Sequence, residues 1–291
     1  MFEKIKKLFN ENSIKNCHFI YLKKNDDNFV SNSISFGKSH WNNEDDLNGD
    51  HIFRLMSMSK PITALAAMQL VERGKLNLDT PAEEILPELA NIPLLTDDNK
   101  LVKQSKSITI RHLMSHTSGF AYNSLMMITS KKFRGLSTFM KLYLFMKGIV
   151  TYIYPFSKGP RLFEAGTNFK YGTGLGFVGM MIEKVSGQSL EEYCKENIFN
   201  PLNMTNTFFT IPKEKKHKIV PLGIRQGKKS KVIRKMPFIG QPYLRFWRKS
   251  YYGGTEIFSS PWALKSFLPG QIAFQVGLST SPPRPGVSAC S

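Results

Sequence analysis

Residues 53–64 read Phe53-Arg-Leu-Met-Ser57-Met-Ser-Lys60-Pro-Ile-Thr-Ala64. Pro61 fits the early part of a helix, where a missing amide N–H costs little. Ile62, Leu65, Met68, Leu70 and Val71 supply an apolar face, and Gly74 stops the helix. Ser57 and Lys60 then sit where a loop enters that helix, three residues apart, and residues at this spacing lie one above the other. A serine hydroxyl is a poor nucleophile until a base takes its proton. A lysine amine serves as that base where burial or nearby positive charge favours its neutral form. The helix N-terminus adds a dipole that favours a developing oxyanion. A Ser-x-x-Lys tetrapeptide alone also fits a solvated helix start with Ser57 as its cap.

Upstream, residues 17–36 predict a β-hairpin: Phe19 to Leu22 and Phe29 to Phe36 are strand-like, Asn25 to Asn28 is the turn, and Gly37 ends it. Before it, Phe2, Ile5, Leu8 and Phe9 mark one face of a helix. Downstream, 75–100 is a proline-punctuated connection, and Thr109 is placed to cap a helix that starts within Ile108 to Met114. Gly174, Leu175, Val178, Met181, Ile182 and Val185 repeat at helical spacing, with Gly187 past the end. Ser189 and Glu192 form the sequence signature of a capping box for the next helix. Helices and strands mix without regular βαβ alternation, which points to α+β layers rather than a doubly wound sheet.

The chain has 291 residues, of which 41% are apolar and 21% charged, enough for a packed core. This excludes a fully disordered chain and a disulfide miniprotein. The formal charge is +18, and residues 211–250 concentrate it, with thirteen Lys or Arg against the single acid Glu214. Phe246-Trp247 and Tyr251-Tyr252 interleave with these cations, as in binders of anionic strands. A solvated surface insertion is the plainer reading, and nucleic acid is not the expected partner.

The apolar stretch 137–156 is interrupted by Lys141, Lys147 and Gly148, so a buried or lid-forming helix fits it better than a membrane span. Contact with a membrane surface through 137–156 or 211–250 stays open. Cys17, Cys194 and Cys290 form no Cys-x-x-Cys pair, which fits a reducing compartment. No apolar run of signal-peptide length follows Met1 to Asn10, so the expected location is cytoplasmic, with an organelle or membrane surface open. His112 and His116 are four apart and could share a helix face, but they lack the further ligands of a metal site. No cofactor is expected, and the oligomeric state stays open.

Three further stretches follow Phe53 to Ala64: Gly74-Lys-Leu-Asn-Leu-Asp-Thr-Pro81, Ile108-Thr-Ile-Arg-His-Leu-Met-Ser-His-Thr-Ser-Gly119, and Ile198 to Phe209. In this order they resemble the serine β-lactamase and penicillin-binding-protein family, most of all its class C-like and esterase branch. The resemblance runs from about residue 15 to Ser260. It implies a β-lactamase/transpeptidase-like α+β fold, an antiparallel sheet flanked by helices with an all-α subdomain. It also implies acyl transfer from an ester, amide or peptide to water through an acyl-Ser57 intermediate, with Lys60 as base. Gly166 to Thr173 matches the family's Tyr-x-Asn motif, so Tyr171 becomes the proton carrier. Thr173 stands at the substrate-binding position where asparagine is usual, keeping a hydroxyl and losing an amide.

Gly253 to Ser260 resembles the family's Gly-Gly segment, with Glu256 where a glycine is frequent. The third family motif, Lys-Thr-Gly or His-x-Gly on a strand, does not occur in 261–291. The resemblance therefore implies an incomplete β-lactamase-related domain over 1–260 and a divergent tail over 261–291, partly disordered because Ser279 to Ser291 has no apolar period. It leaves the C-terminal strands incomplete and the hairpin without its sheet neighbour. Two other readings stand beside the hydrolase: a catalytically impaired, shortened relative, and a binder of anionic partners through 211–250. For a hydrolase the partner is a small-molecule or peptide substrate.

Overall fold

The computed structural model describes residues 2–11, 16–25, 28–40, 45–98, 100–121, 160–225, 233–235, 257–259, 261, 263, 267 and 272–276. The stretch 137–156 lies outside them. The described strands are β1 (Asn16–Asn25), β2 (Asn28–Gly37), β3 (Phe53–Arg54), β4 (Leu94–Leu95), β5 (Leu101–Val102), β6 (Thr207–Phe208), β7 (Gly223–Arg225), β8 (Ile233–Lys235), β9 (Phe258–Ser259) and β10 (Ile272–Val276). The described residues fall into two units. One gathers those up to Arg54, those within 202–240 and those from Phe258 onward, and the other gathers Leu55–Pro201 with Ile257.

In the first unit, helix α1 (Phe2–Glu11) sets Phe9 against Phe36, with ring centroids 5.2 Å apart. The expected hairpin forms: β1 and β2 pair antiparallel, Cys17 opposite Phe36 and Asn25 opposite Asn28. The sequence leaves the other edge of β1 without a neighbour, and here the structure differs. Strand β10 pairs antiparallel with β1, Cys17 opposite Val276 and Tyr21 opposite Ile272, so the sheet order is β10-β1-β2. The physical gain is plain, because a central strand edge without a partner exposes a row of backbone donors and acceptors. A second antiparallel sheet has the order β3-β9-β6, and the Thr207 and Ser259 hydroxyls meet across it at 2.7 Å. Beside it Leu47, Phe53 and Val220 form a small buried cluster.

In the second unit, helix α2 (Ser59–Glu72) and helix α4 (Ile110–Met114) pack on helix α5 (Gly174–Ser186), while α3 (Ala82–Ile85) and α6 (Leu190–Cys194) complete the helical layer. The buried face of α2 is Ser59, Lys60, Ile62, Thr63, Ala66, Ala67 and Leu70. Leu65 and Met68, expected on that face, are 37% and 41% exposed. The helix is apolar on both sides, so spacing alone does not choose, and the small Ala66 and Ala67 occupy the packed side. Gly74 ends α2 as expected, at φ +67°. Its N–H donates to the Val71 carbonyl at 2.9 Å and the Lys75 N–H to the Leu70 carbonyl at 2.8 Å, the paired bonds of a Schellman stop.

Both expected caps form. Thr109 Oγ1 accepts from the His112 N–H while the Thr109 N–H donates to His112 Nδ1 at 3.2 Å. Ser189 and Glu192 cap α6 reciprocally. Among the described residues no helix is long and apolar enough to cross a membrane.

Candidate active site

All four residues singled out by the sequence lie in the second unit. Ser57 is the exposed middle residue of a 3₁₀ turn, Met56–Met58, that runs directly into α2. It is not the cap of that helix: the N-cap position belongs to Met58, and no side chain caps it. Lys60, one turn further on, is only 8% exposed.

The turn is held under backbone strain. Met56 has φ +49°, a left-handed conformation that a non-glycine residue rarely adopts. Two hydrogen bonds to one residue bracket it. The Leu55 N–H donates to the Ile257 carbonyl at 2.9 Å, and the Ile257 N–H donates to Ser59 Oγ at 3.2 Å. Ser59 is fully buried, so this side chain serves the turn from inside while Ser57 faces out.

Tyr171 reaches the same place from a loop that leads into α5. Lys60 Nζ lies 4.9 Å from the centroid of its ring, a cation over an aromatic face. The ring is 42% exposed, which leaves it open to a substrate. The glycines around it explain the loop's course. A Cβ on Gly172 would overlap the Phe120 carbonyl oxygen, and one on Gly174 would overlap the Leu113 carbonyl oxygen. Only residues without side chains let this backbone lie flat against α4 and the segment that follows it. Thr173 takes the N-cap position of α5, half-buried and without a side-chain cap bond, and its carbonyl accepts from the Gly176 N–H at 2.9 Å. The structure thus brings Lys60 and Tyr171 into contact next to the Ser57 turn, with Thr173 two residues beyond Tyr171.

The two histidines do not share a helix face. α4 ends at Met114, and His116 turns back with φ +59°. His112 completes the Thr109 cap. His116 faces the site: its ring centroid is 4.5 Å from that of Tyr171 and 6.1 Å from that of Phe169. Burial, aided by the Lys60 charge, holds its imidazole below the usual histidine range. A neutral ring fits its hydrogen bonding, because Nδ1 accepts from the Gly172 N–H at 3.3 Å. The spacing of four residues suggested a helix pair. The informative signal was the Ser-His-Thr-Ser-Gly run, a helix-ending composition. Among the described residues no three His, Cys, Asp or Glu gather as a metal site.

The basic segment is described over 211–225 and 233–235, as a 3₁₀ helix, Lys213–Lys218, and the β7-β8 hairpin. Its Lys215 is engaged by its own unit, donating to Asn206 Oδ1 at 2.6 Å and lying 5.0 Å over the Phe208 ring.

Comparison with known proteins gives the fold and the family. The monacolin J acid methylbutanoyltransferase of Aspergillus terreus is 29% identical over 213 residues, 72% of this chain and 49% of that protein. Esterase EstB of Burkholderia gladioli is 34% identical over 161 residues, 55% of this chain and 39% of that protein. The chain spans about half the length of the first of these relatives. The solved structure of unliganded simvastatin synthase from Aspergillus terreus superposes with a TM-score of 0.75 at 23% identity, covering 91% of this chain and 66% of that one. This shows the α+β fold, with antiparallel sheets flanked by helices. The beta-lactamase family model matches residues 26–284, so the likeness continues past Ser260, where the sequence reading ends it. On that match the chain belongs to the beta-lactamase family.

Proposed function

We propose that the protein is a serine acyl-enzyme hydrolase acting on a small-molecule ester, with Ser57 as nucleophile, Lys60 as base and Tyr171 as proton carrier. The observation that carries this reading is the contact of Lys60 with the Tyr171 ring beside the strained turn that presents Ser57. Ser57 Oγ attacks the ester carbonyl while its proton passes to Lys60. The tetrahedral intermediate collapses, the carbonyl re-forms, and the alcohol leaves with a proton delivered through Tyr171. Water then attacks the acyl-Ser57 ester and releases the acid, regenerating the serine. Thr173 lies at the start of α5, where its hydroxyl can contact bound substrate.

Incubation of the folded protein with a fluorophosphonate, followed by intact-mass and peptide analysis, tests this. The expected result is one adduct on Ser57, absent in Ser57→Ala. Folded protein without an adduct overturns the reading and leaves the non-catalytic relative in its place.

The similarity to an esterase and to an acyltransferase supports a second reading of the last step, in which an alcohol replaces water. Supplying a p-nitrophenyl ester with an alcohol acceptor distinguishes the two. A new ester in the products marks transfer, and free acid alone marks hydrolysis.

A further inference from the structure

His116 grips the backbone on both sides of Tyr171. Its carbonyl accepts from the Lys170 N–H at 2.9 Å, and its Nδ1 accepts from the Gly172 N–H at 3.3 Å. Its ring packs against the Tyr171 ring between these two bonds. The left-handed backbone of His116, φ +59°, turns the residue back toward the 170–172 segment just after α4. On the other side, Gly172 lies so close to the Phe120 carbonyl that no side chain fits. Tyr171 is thus fixed from two directions, and only one of the fastenings can titrate. An imidazole accepts at Nδ1 only while that nitrogen is unprotonated.

We propose that His116 is a positioning residue: its neutral ring holds Tyr171 against Lys60 through the Gly172 N–H, and protonation at Nδ1 turns that acceptor into a donor and disarms the site at low pH. This rests on the proposed role of Tyr171. Among the described residues, the charged and titratable groups facing the ring are Lys60 from α2 and Tyr171 from the loop. Burial disfavours a charged ring, and whenever Lys60 carries a proton it opposes a second cation beside it. The acid limb of activity therefore lies below the ordinary histidine range, and the site stays armed at neutral pH.

Two variants separate the nitrogen from the backbone. His116→Asn keeps an acceptor near the Nδ1 position and tolerates the left-handed conformation. His116→Gly removes the backbone strain and the acceptor together. Single-turnover acylation by a p-nitrophenyl ester is measured against pH, with the Gly172 amide resonance followed by NMR in the same range. In the wild type the Gly172 amide is expected to titrate together with the His116 ring. His116→Gly is expected to slow acylation about 10- to 100-fold with little change in KM, the effect of a misplaced catalytic group. His116→Asn is expected to hold the rate within a few-fold and to lose the acid limb. A Gly172 amide that ignores the His116 titration overturns the proposal. So does His116→Gly with wild-type rate and pH profile, or His116→Asn as slow as His116→Gly. A wild type that takes no adduct on Ser57 removes the proposed function instead, and the Gly172 titration still decides whether the histidine holds the loop.

Discussion

Lys60 Nζ stands 4.9 Å from the centroid of the Tyr171 ring, although the two residues are more than a hundred positions apart in the chain. Neither reaches the other through local structure. The first turn of α2 carries the lysine, and glycines that permit backbone contact with α4 carry the tyrosine.

This contact separates the hydroxyl of Tyr171 from its ring. Tyr171→Phe keeps the aromatic face against the Lys60 amine and removes only the phenol. If the phenol moves the proton, acylation falls by about 10²- to 10⁴-fold. Unfolding stability should stay within about 1 kcal/mol, as at most exposed positions. Burst kinetics with a p-nitrophenyl ester, alongside urea unfolding, decide the matter. A Tyr171→Phe protein that acylates at the normal rate would remove the tyrosine from the chemistry.

Gly174→Ala should be among the more damaging single changes in the second unit. The added methyl has only the Leu113 backbone carbonyl to displace, and backbone inside a packed helix pair cannot yield as a flexible side chain does. Overpacking of this kind costs about 1–3 kcal/mol or more. Gly74→Ala is the control, because a Cβ there meets open space and only the φ of +67° is unfavourable. That strain costs about 1 kcal/mol. Urea unfolding should rank Gly174→Ala as the larger loss, and the reverse order would mean that the α4-α5 approach is looser than described.

The legible parts of this fold are those encoded locally. The β1-β2 pairing that sets Asn25 opposite Asn28, the Thr109 and Ser189 caps and the Gly74 and Gly187 stops each need only nearby residues, and each forms where the sequence places it. Strand β10 has no such local mark. It pairs Val276 with Cys17 at the opposite end of the chain, so its existence depends on the edge that β1 offers. The packed face of α2 was ambiguous for another reason: Leu65, Met68, Ala66 and Ala67 are all apolar, and packing selects the small pair. In the site, Ser57 and Lys60 were legible as a spacing, and Tyr171 only through the family motif around it. The spacing of His116 to His112 is compatible with a shared helix face, and the structure differs because the helix stops at Met114.

His18 should give the first unit a pH-dependent stability. It is buried in β1, with Nδ1 2.7 Å from Ser35 Oγ and Nε2 without a partner among the described residues. Burial pushes its pKa down to about 4. The unfolded chain takes up this proton near the ordinary value of about 6.5, while the folded chain resists until about 4. Between these values the unfolded state binds more protons, so the His18 contribution is present above the upper value and drains away as pH falls through the window. The full loss is roughly 3 kcal/mol. His18→Leu should flatten the stability profile over that range relative to the wild type, read by urea unfolding at several pH values. Parallel profiles would show that the ring charges without penalty.

Ser59 and Met56 should prove energetically coupled. Ser59→Ala leaves the buried Ile257 N–H without its side-chain acceptor, a loss of about 1–3 kcal/mol. It also frees one end of the bracket that keeps Met56 at φ +49°, so the turn can relax and Ser57 loses its fixed direction. If Ser57 is the nucleophile, as proposed, acylation should slow more than KM changes, because Ser57 is misdirected while the substrate surface remains. Met56→Gly removes the need for the bracket, because glycine adopts this conformation without strain. The double variant should therefore lose less stability than the two single losses together, with a coupling of about 0.5 kcal/mol or more. Strict additivity in a double-mutant cycle would show that Ser59 and Ile257 stabilise the fold without restraining the turn that carries Ser57.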